Sequence, residues 1–425
     1  MKNWKPVTIF FYTALLVAIC QVAVAQQSLP APRQEKLLNG LKILMWSDAG
    51  ASKVTVKIRV HAGSSFDPQG REGVMQMLAD NIFPNEAIRE SFREDLGGSL
   101  DVSTNYDYIE IDASSKPESL LTMLETLSTA ISNPAIDKEM TAKLRTALLA
   151  KVAVLESDPA YVADQAVAKR LFGTFPYGRP QLGTSESLSK IIFADLIDAK
   201  QRFLTADNAT ITISGNYDKS LAFKAIRRYF GSWLKADKKV PSTFRQPDPP
   251  PAGILTTDSP SPEISVLRFA VRGAARGGKD FAAGRVFSYI MEDRLKTIVP
   301  PQYAKDVFVR SDEHVLPGVI VIGFSVRRED SVKEKTDAGD VILKALAANI
   351  SDAEFTAARG RFAAEWSKID PATFWLDADT FQTSGVNADL RASDNVTLAD
   401  ANAFLEKIRK SPMAAVLVLA VPKSS

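Results

Sequence analysis

The sequence predicts an α+β protein made of two similar units in tandem, each a sheet with helices packed on one face. Three observations carry this. Two runs, Lys53–Val60 (KVTVKIRV) and Glu263–Val271 (EISVLRFAV), are rich in β-branched residues and alternate in character, as strands do. Each is followed by a glycine-containing turn, a helical stretch and, much later, a closing strand: Ala209–Ser214 (ATITIS) and Ala415–Val421 (AVLVLAV). The intervals also match, with 156 residues from Val54 to Thr210 and 152 from Ile264 to Val416. The same order at the same spacing points to duplication of one unit. The competing reading is chance recurrence of common elements.

Taken in order, the chain opens on Met1–Ala25. Lys2 and Lys5 precede an apolar run, Val7–Cys20, and the small-residue end Ala23-Val24-Ala25. That is the layout of a secretory signal, with cleavage expected before Gln26. The alternatives are an uncleaved anchor, for which Pro6–Ala25 is barely long enough, and a lipid-modified Cys20, which the bulky Ile19 disfavours. Export is therefore expected, to the periplasm if the source is a Gram-negative bacterium, with no stable membrane insertion after cleavage. Residues 26–235 form the first unit. Its helical stretches are Glu72–Ile82, Leu120–Ile131, Met140–Leu155 and Tyr161–Phe172. In the second of these, Leu121, Leu124, Leu127 and Ile131 recur at helical spacing. Residues 236–253 (ADKKVPSTFRQPDPPPAG) contain five prolines, which forbid helix or central strand, so they form a stiff extended linker. Residues 254–425 form the second unit, with a helical stretch at Phe281–Thr297.

Composition removes whole classes of function. The 425 residues carry 52 Lys+Arg against 50 Asp+Glu, too even a balance for nucleic acid to be the main partner. The only histidines are His61 and His314 and the only cysteine is Cys20, so chemistry needing a cluster of His or Cys ligands is excluded. Signal cleavage leaves no cysteine and no disulfide, and stability must come from core burial.

Four segments in order carry a resemblance: Ala62–Phe83 (AGSSFDPQGREGVMQMLADNIF), Phe92–Ile111 (FREDLGGSLDVSTNYDYIEI), Asp158–Leu188 and Leu204–Asp218. Within them, the Tyr177–Thr184 run (YGRPQLGT) and the Asn208–Asp218 run (NATITISGNYD) are the more specific. With the second half, they make nearly all of the mature chain similar to the pitrilysin/insulinase family of zinc peptidases, the inverzincins related to mitochondrial processing peptidase. The resemblance implies two homologous domains, each a mostly antiparallel sheet with packed helices, together one half of a clam-like peptidase.

Active members of that family carry H-x-x-E-H on a helix. The two histidines, four apart, share a helical face and hold Zn²⁺, while the glutamate is general base to the metal-bound water. A further glutamate some seventy residues on completes the site. Matched through Gly73, the motif falls on Gln76, Met77, Leu78, Ala79 and Asp80. The first ligand position is Gln76, the general-base position is Ala79 and the second ligand position is Asp80. The distal glutamate falls near Ala150 or Lys151. All four functional positions differ, so the resemblance implies a lost zinc site and no cofactor. The Arg and Tyr that hold the substrate carbonyl in the family fall near Pro300 and Val307, with Tyr303 or Arg310 as possible substitutes.

Other chemistries find no support. Ser64, Ser65 and Ser99 lack a G-x-S-x-G setting, and Gly97-Gly98 is followed by no phosphate-loop lysine. Glu156 and Asp158 suit a helix cap, His61 at a strand end suits a structural role, and Arg327–Lys335 is a mixed-sign surface. The functional feature that survives is the segment Ser99, Leu100, Asp101, Val102, Ser103 and Thr104. In the family this edge strand receives substrate as an added strand, through backbone groups that tolerate side-chain change. The competing reading is an ordinary covered edge. The expected function is thus an exported, non-catalytic partner subunit of a zinc-bearing homologue, forming a heterodimer around an extended peptide. The alternatives are a stand-alone peptide-binding or scaffold protein, and an enzyme with an atypical metal at Gln76 and Asp80.

Overall fold

The computed structural model describes residues 30–236, 244–299, 306–327 and 340–421. The export signal, part of the linker and most of the mixed-sign run after Arg327 lie outside the described residues. Two mixed sheets organise the rest. The first has strands β1 (Arg33–Lys36), β2 (Lys42–Ser47), β3 (Val54–Val60), β4 (Ser99–Thr104), β5 (Ile109–Ser115) and β6 (Ala209–Gly215), in the order β1-β2-β6-β3-β5-β4. The second has β7 (Ile254–Asp258), β8 (Ile264–Arg272), β9 (Phe308–Asp312), β10 (Val319–Arg327) and β11 (Ala414–Leu419), in the order β7-β11-β8-β10-β9. Without β1 the two orders are the same. Each sheet has one parallel pair, β2 with β6 and β7 with β11, and antiparallel pairs elsewhere.

The halves do not open on β3 and β8, as the sequence patterns alone indicate. Each has an earlier strand, β2 or β7, that pairs in parallel with the closing strand. Neither alternates cleanly: β2 is the run KILMWS, and β7 (ILTTD) is mostly exposed.

In β3, Val54, Val56, Ile58 and Val60 point into a core shared with helices Val74–Ile82, Leu120–Ser132 and Lys138–Glu156. Thr55, Lys57 and Arg59 point the other way. That second face is not open. Helix Pro371–Phe381 of the second unit lies on it, with Arg59 paired to Asp377 at 2.7 Å and Lys57 to Asp370 at 3.1 Å. The exchange is mutual. Helix Pro159–Phe172 of the first unit lies on the second sheet, where Ala163, Val167 and Leu171 meet Val266, Ala270, Val416 and Val418. Each sheet therefore carries helices on both faces, not one. For the same reason β8 does not alternate: Ser265 to Val271 are all buried.

The exchanged helices share a start. Asp158-Pro159 and Asp370-Pro371 each place an aspartate as N-cap, accepting from Ala160 N at 2.9 Å and Ala372 N at 3.1 Å, with proline at the first helical position. Each helix also sets an aspartate against an arginine of the other unit's sheet, Asp164 on Arg268 and Asp377 on Arg59. Among the described residues no helix is long and apolar enough to cross a membrane.

Candidate functional site

The helix Val74–Ile82 holds the positions matched to the family motif. It begins at Gly73, whose φ of +103° and contact with Leu182 O, 2.9 Å from where a Cβ would stand, both require glycine. The first turn is tied down from outside. Asp67, buried, accepts from Gly73 N and Met75 N, both at 2.8 Å. Arg179, from the YGRP run, donates to Asp67 O and Ser65 O at 2.8 and 3.0 Å. Burial pushes the Asp67 carboxyl up to about 7, against the pull of its two backbone donors and of Arg179.

That shift has a pH signature. Between the ordinary value of 3.8 and about 7, the folded chain keeps a proton that the unfolded chain has released. Stability should therefore fall as pH rises through this window, by up to roughly 1.4 kcal/mol per pH unit from this group. Asp67→Asn cannot ionise, and its amide can accept only one of the two backbone bonds. Urea titrations at pH 4.5 and 7.5 should show the variant less stable at the lower pH and the gap narrowing at the higher. A gap that widens with pH would show that Asp67 stabilises as the anion.

Further along, Gln76 and Asp80 share one face, one turn apart. They bond to each other: Gln76 Nε2 donates to Asp80 Oδ1 at 2.8 Å. Burial raises the Asp80 carboxyl, while the Gln76 bond and the charges of Lys151 and Arg89 oppose it. Of the two candidates for the distal position, Lys151 is thus the one whose charge reaches Asp80. Ala79 lies in the core with 1% exposure. Zinc needs three or four good N, O or S donors. Here the one carboxylate is engaged by an amide N–H and faced by an ammonium, and the intervening position is a methyl. This donor set does not fit the ion. Among the described residues no group of three or more His, Cys, Asp or Glu is placed to hold a metal.

Both histidines sit elsewhere. His61 bridges the units, with Nδ1 3.0 Å from Thr380 Oγ1 and Nε2 3.0 Å from Thr210 Oγ1. His314 is buried against Asp107, Nδ1 to Oδ2 at 2.9 Å, and packs on Tyr177. Asp107 also accepts from Tyr177 Oη at 3.1 Å and Val315 N at 3.3 Å. Pro300 and Tyr303 lie outside the described residues. Val307 is in the second core. Arg310 is engaged by Asp312 at 2.9 Å through Nε and by Asp164 at 3.3 Å through Nη1.

Ser99 to Thr104 form β4, at the edge of the first sheet, paired only with β5 among the described residues. Leu100 is buried; Ser99, Asp101 and Ser103 are exposed on the opposite face, beside Ser114, Asp112 and Glu110 of β5. Just before it, Gly98 runs so close to β5 that a Cβ would stand 1.8 Å from Ser114 O. The free side of β4 thus offers backbone N–H and C=O groups on a firmly seated strand.

The sequence reading missed the polar layer between the units. Arg59, Glu110, Asp377, Arg276 and Asp389 form one connected set of ion pairs, with Arg276 at 3.1 Å from Asp377 and 2.7 Å from Asp389. Asp-Pro starts both exchanged helices, but it also occurs at Asp67-Pro68 and Asp248-Pro249, where no such helix follows, so it is no specific signal for the exchange.

Comparison with known proteins bears on the family and the fold. Residues 42–185 match the model of "Insulinase (Peptidase family M16)" and residues 190–362 that of "Peptidase M16 inactive domain". Residues 76 to 80 lie in the first of these regions. The chain is 24% identical over 209 residues to an uncharacterized zinc protease of Rickettsia bellii, covering 48% of this chain and 50% of that protein. It spans about half the length of such curated relatives. Its fold is similar to a peptidase M16 inactive domain from Pseudomonas fluorescens, with a TM-score of 0.80 at 20% identity over 93% of this chain and 99% of the other. It is also similar to the first half of the periplasmic protease PqqL from Escherichia coli, with a TM-score of 0.69 at 15% identity over 93% of each chain.

Proposed function

The chain belongs to the insulinase (pitrilysin) family of peptidases, and from that premise we propose that it is an exported, catalytically silent subunit that partners a zinc-bearing homologue. The observation that carries the reading is the Gln76–Asp80 hydrogen bond beside a buried Ala79, where active relatives need two ligands and a base. Around it the framework is intact: Asp67, Gly73 and Arg179 brace the helix, and among the described residues β4 pairs on one side only. Keeping the scaffold while the metal donors change suits a wall of the peptide chamber rather than its reaction centre. The likeness to a structure described as the first half of a protease supports pairing with a second, homologous half.

An extended peptide adds to β4 by main-chain hydrogen bonds, which need no particular side chains. The zinc and the base come from the partner. The compartment is the periplasm if the source is a Gram-negative bacterium.

Mixing the purified chain with a zinc-bearing family member should give a complex at micromolar concentration and faster peptide cleavage than the partner alone. The chain by itself should take up no stoichiometric zinc in calorimetry and cleave nothing. No complex at micromolar concentration and no gain in cleavage, with peptide still bound, would favour a stand-alone peptide-binding or scaffold protein. Stoichiometric metal at Asp80, with hydrolysis lost to a chelator, would restore an enzyme.

A further inference from the structure

One charge on β4 is left unbalanced by its own sheet. On the face away from the core, Lys57 and Arg59 of β3 lie beside Asp112 and Glu110 of β5. Each of these cations is used. Lys57 is 3.2 Å from Asp112 and 3.1 Å from Asp370, and Arg59 is 2.6 Å from Glu110 and 2.7 Å from Asp377. Alternation of sign would put a cation on the next strand out. β4 brings Asp101 instead, directly across from Asp112. Like charges directly opposite on an antiparallel pair are destabilising. Asp112 has Lys57, but Asp101 is exposed and has no hydrogen-bond or ion-pair partner among the described residues. Its neighbours on that face of β4, Ser99 and Ser103, are neutral.

A strand added to β4 meets this charge at once. Residues directly paired across two strands point to the same face, whichever way the strands run. The added residue opposite Asp101 therefore stands beside its carboxylate, on the side away from Asp112, with Cβ atoms about 4.5–5.5 Å apart. Its own neighbours point to the other face, where β4 shows the buried Leu100 and half-buried Val102. The counterpart edge of the second sheet differs. On β9, Arg310 pairs with Asp312 two residues on, at 2.9 Å, so that edge carries its own counter-charge. A charged edge residue also deters chance pairing. Asp101 deters selectively, because it repels an acidic strand and attracts a basic one.

Given the strand addition proposed above, on which this rests, we propose that Asp101 sets the specificity of the edge: β4 takes an extended peptide with lysine or arginine at the position paired with Asp101. The two opposed carboxylates then stand between cations on both sides, Lys57 on the inner side and the peptide's own on the outer. A peptide with glutamate or aspartate at that position sets three carboxylates in a row. Main-chain bonds supply the affinity common to all three kinds of peptide, and the charge opposite Asp101 supplies the difference.

Fluorescence anisotropy of peptides Ser-Val-Xaa-Val-Ser-Val-amide, each with a neutral dye at its N-terminus, tests this with Xaa as Lys, Gln or Glu. The purified full chain should bind the Lys peptide about three- to tenfold tighter than the Glu peptide, with Gln between, the size expected of one exposed cross-strand charge pair against its repulsive counterpart. Salt at about 1 M should shrink the difference, because the pair is exposed. Asp101→Asn should erase the preference and Asp101→Glu should keep it. Asp101→Asn also relieves the opposition to Asp112, so its Tm should hold or rise, which checks the fold. Equal binding of all three peptides overturns the specificity and leaves strand addition standing. A Lys preference that persists in Asp101→Asn overturns it too, since the charge would then lie elsewhere. No binding of any peptide at sub-millimolar protein overturns both the specificity and the strand addition.

Discussion

Arg59→Met should cost about 3–5 kcal/mol of stability, the range for removing one partner of a buried ion pair. Arg59 is 1% exposed, with Glu110 at 2.6 Å and Asp377 at 2.7 Å, and lies 4.0 Å from the centre of the Tyr108 ring. Methionine fills much of the volume but leaves Glu110 without its cation and Asp377 with only Arg276. The loss falls on the contact between the units, because Asp377 rides on the helix sent across from the second one. Urea denaturation should show the lower midpoint. The double variant with Asp377→Asn should cost clearly less than the sum of the two singles, since one unpaired charge is removed with its partner. Additive costs would mean that the pair is not coupled, and a midpoint unchanged from wild type would mean that the layer contributes nothing.

A comparable loss is expected for Asp107→Ala. Its carboxylate takes three donors, His314 Nδ1, Tyr177 Oη and Val315 N, all packed where the β4–β5 turn meets the second unit. Leaving a buried donor unsatisfied costs about 1–3 kcal/mol, so a total of about 3–5 kcal/mol is expected with partial relaxation. Asp107→Asn keeps the acceptor Oδ1 and should recover about half of it. Hydrogen exchange adds a readout that general destabilisation would not give. Protection should fall first in β4, β5 and the segment around His314, before the rest of either core. Uniform loss would show that Asp107 supports the whole fold rather than this junction.

Much of the fold was legible because it obeys simple periods. The core helices keep apolar residues at helical spacing, and β3 and β6 are β-branched runs of ordinary length. β1 (RQEK) has no apolar residue at all and takes its place by pairing with β2, with Arg33 over the Phe223 ring, so no local pattern can disclose it. The outward residues of β3, Lys57 and Arg59, look solvated in the sequence. They are covered only because a helix more than 300 residues later in the chain brings Asp370 and Asp377 to them. Tertiary cover of that kind leaves no trace in a short window. The altered motif was legible by counting from Gly73, and its neighbours Ala79 and Asp80 lie where the helix places them. The mutual bond of Gln76 and Asp80 was not, because a side-chain rotamer is set by packing rather than by position in the chain.

The traded helices bear on ancestry. A progenitor with a single unit would have had a bare sheet face, unless two copies swapped that helix with each other. Joining the copies end to end would then have turned a domain-swapped homodimer into one polypeptide, freeing each half to diverge: one seam became a lattice of charges around Arg59, and the other a greasy seal of valine and alanine around Val167.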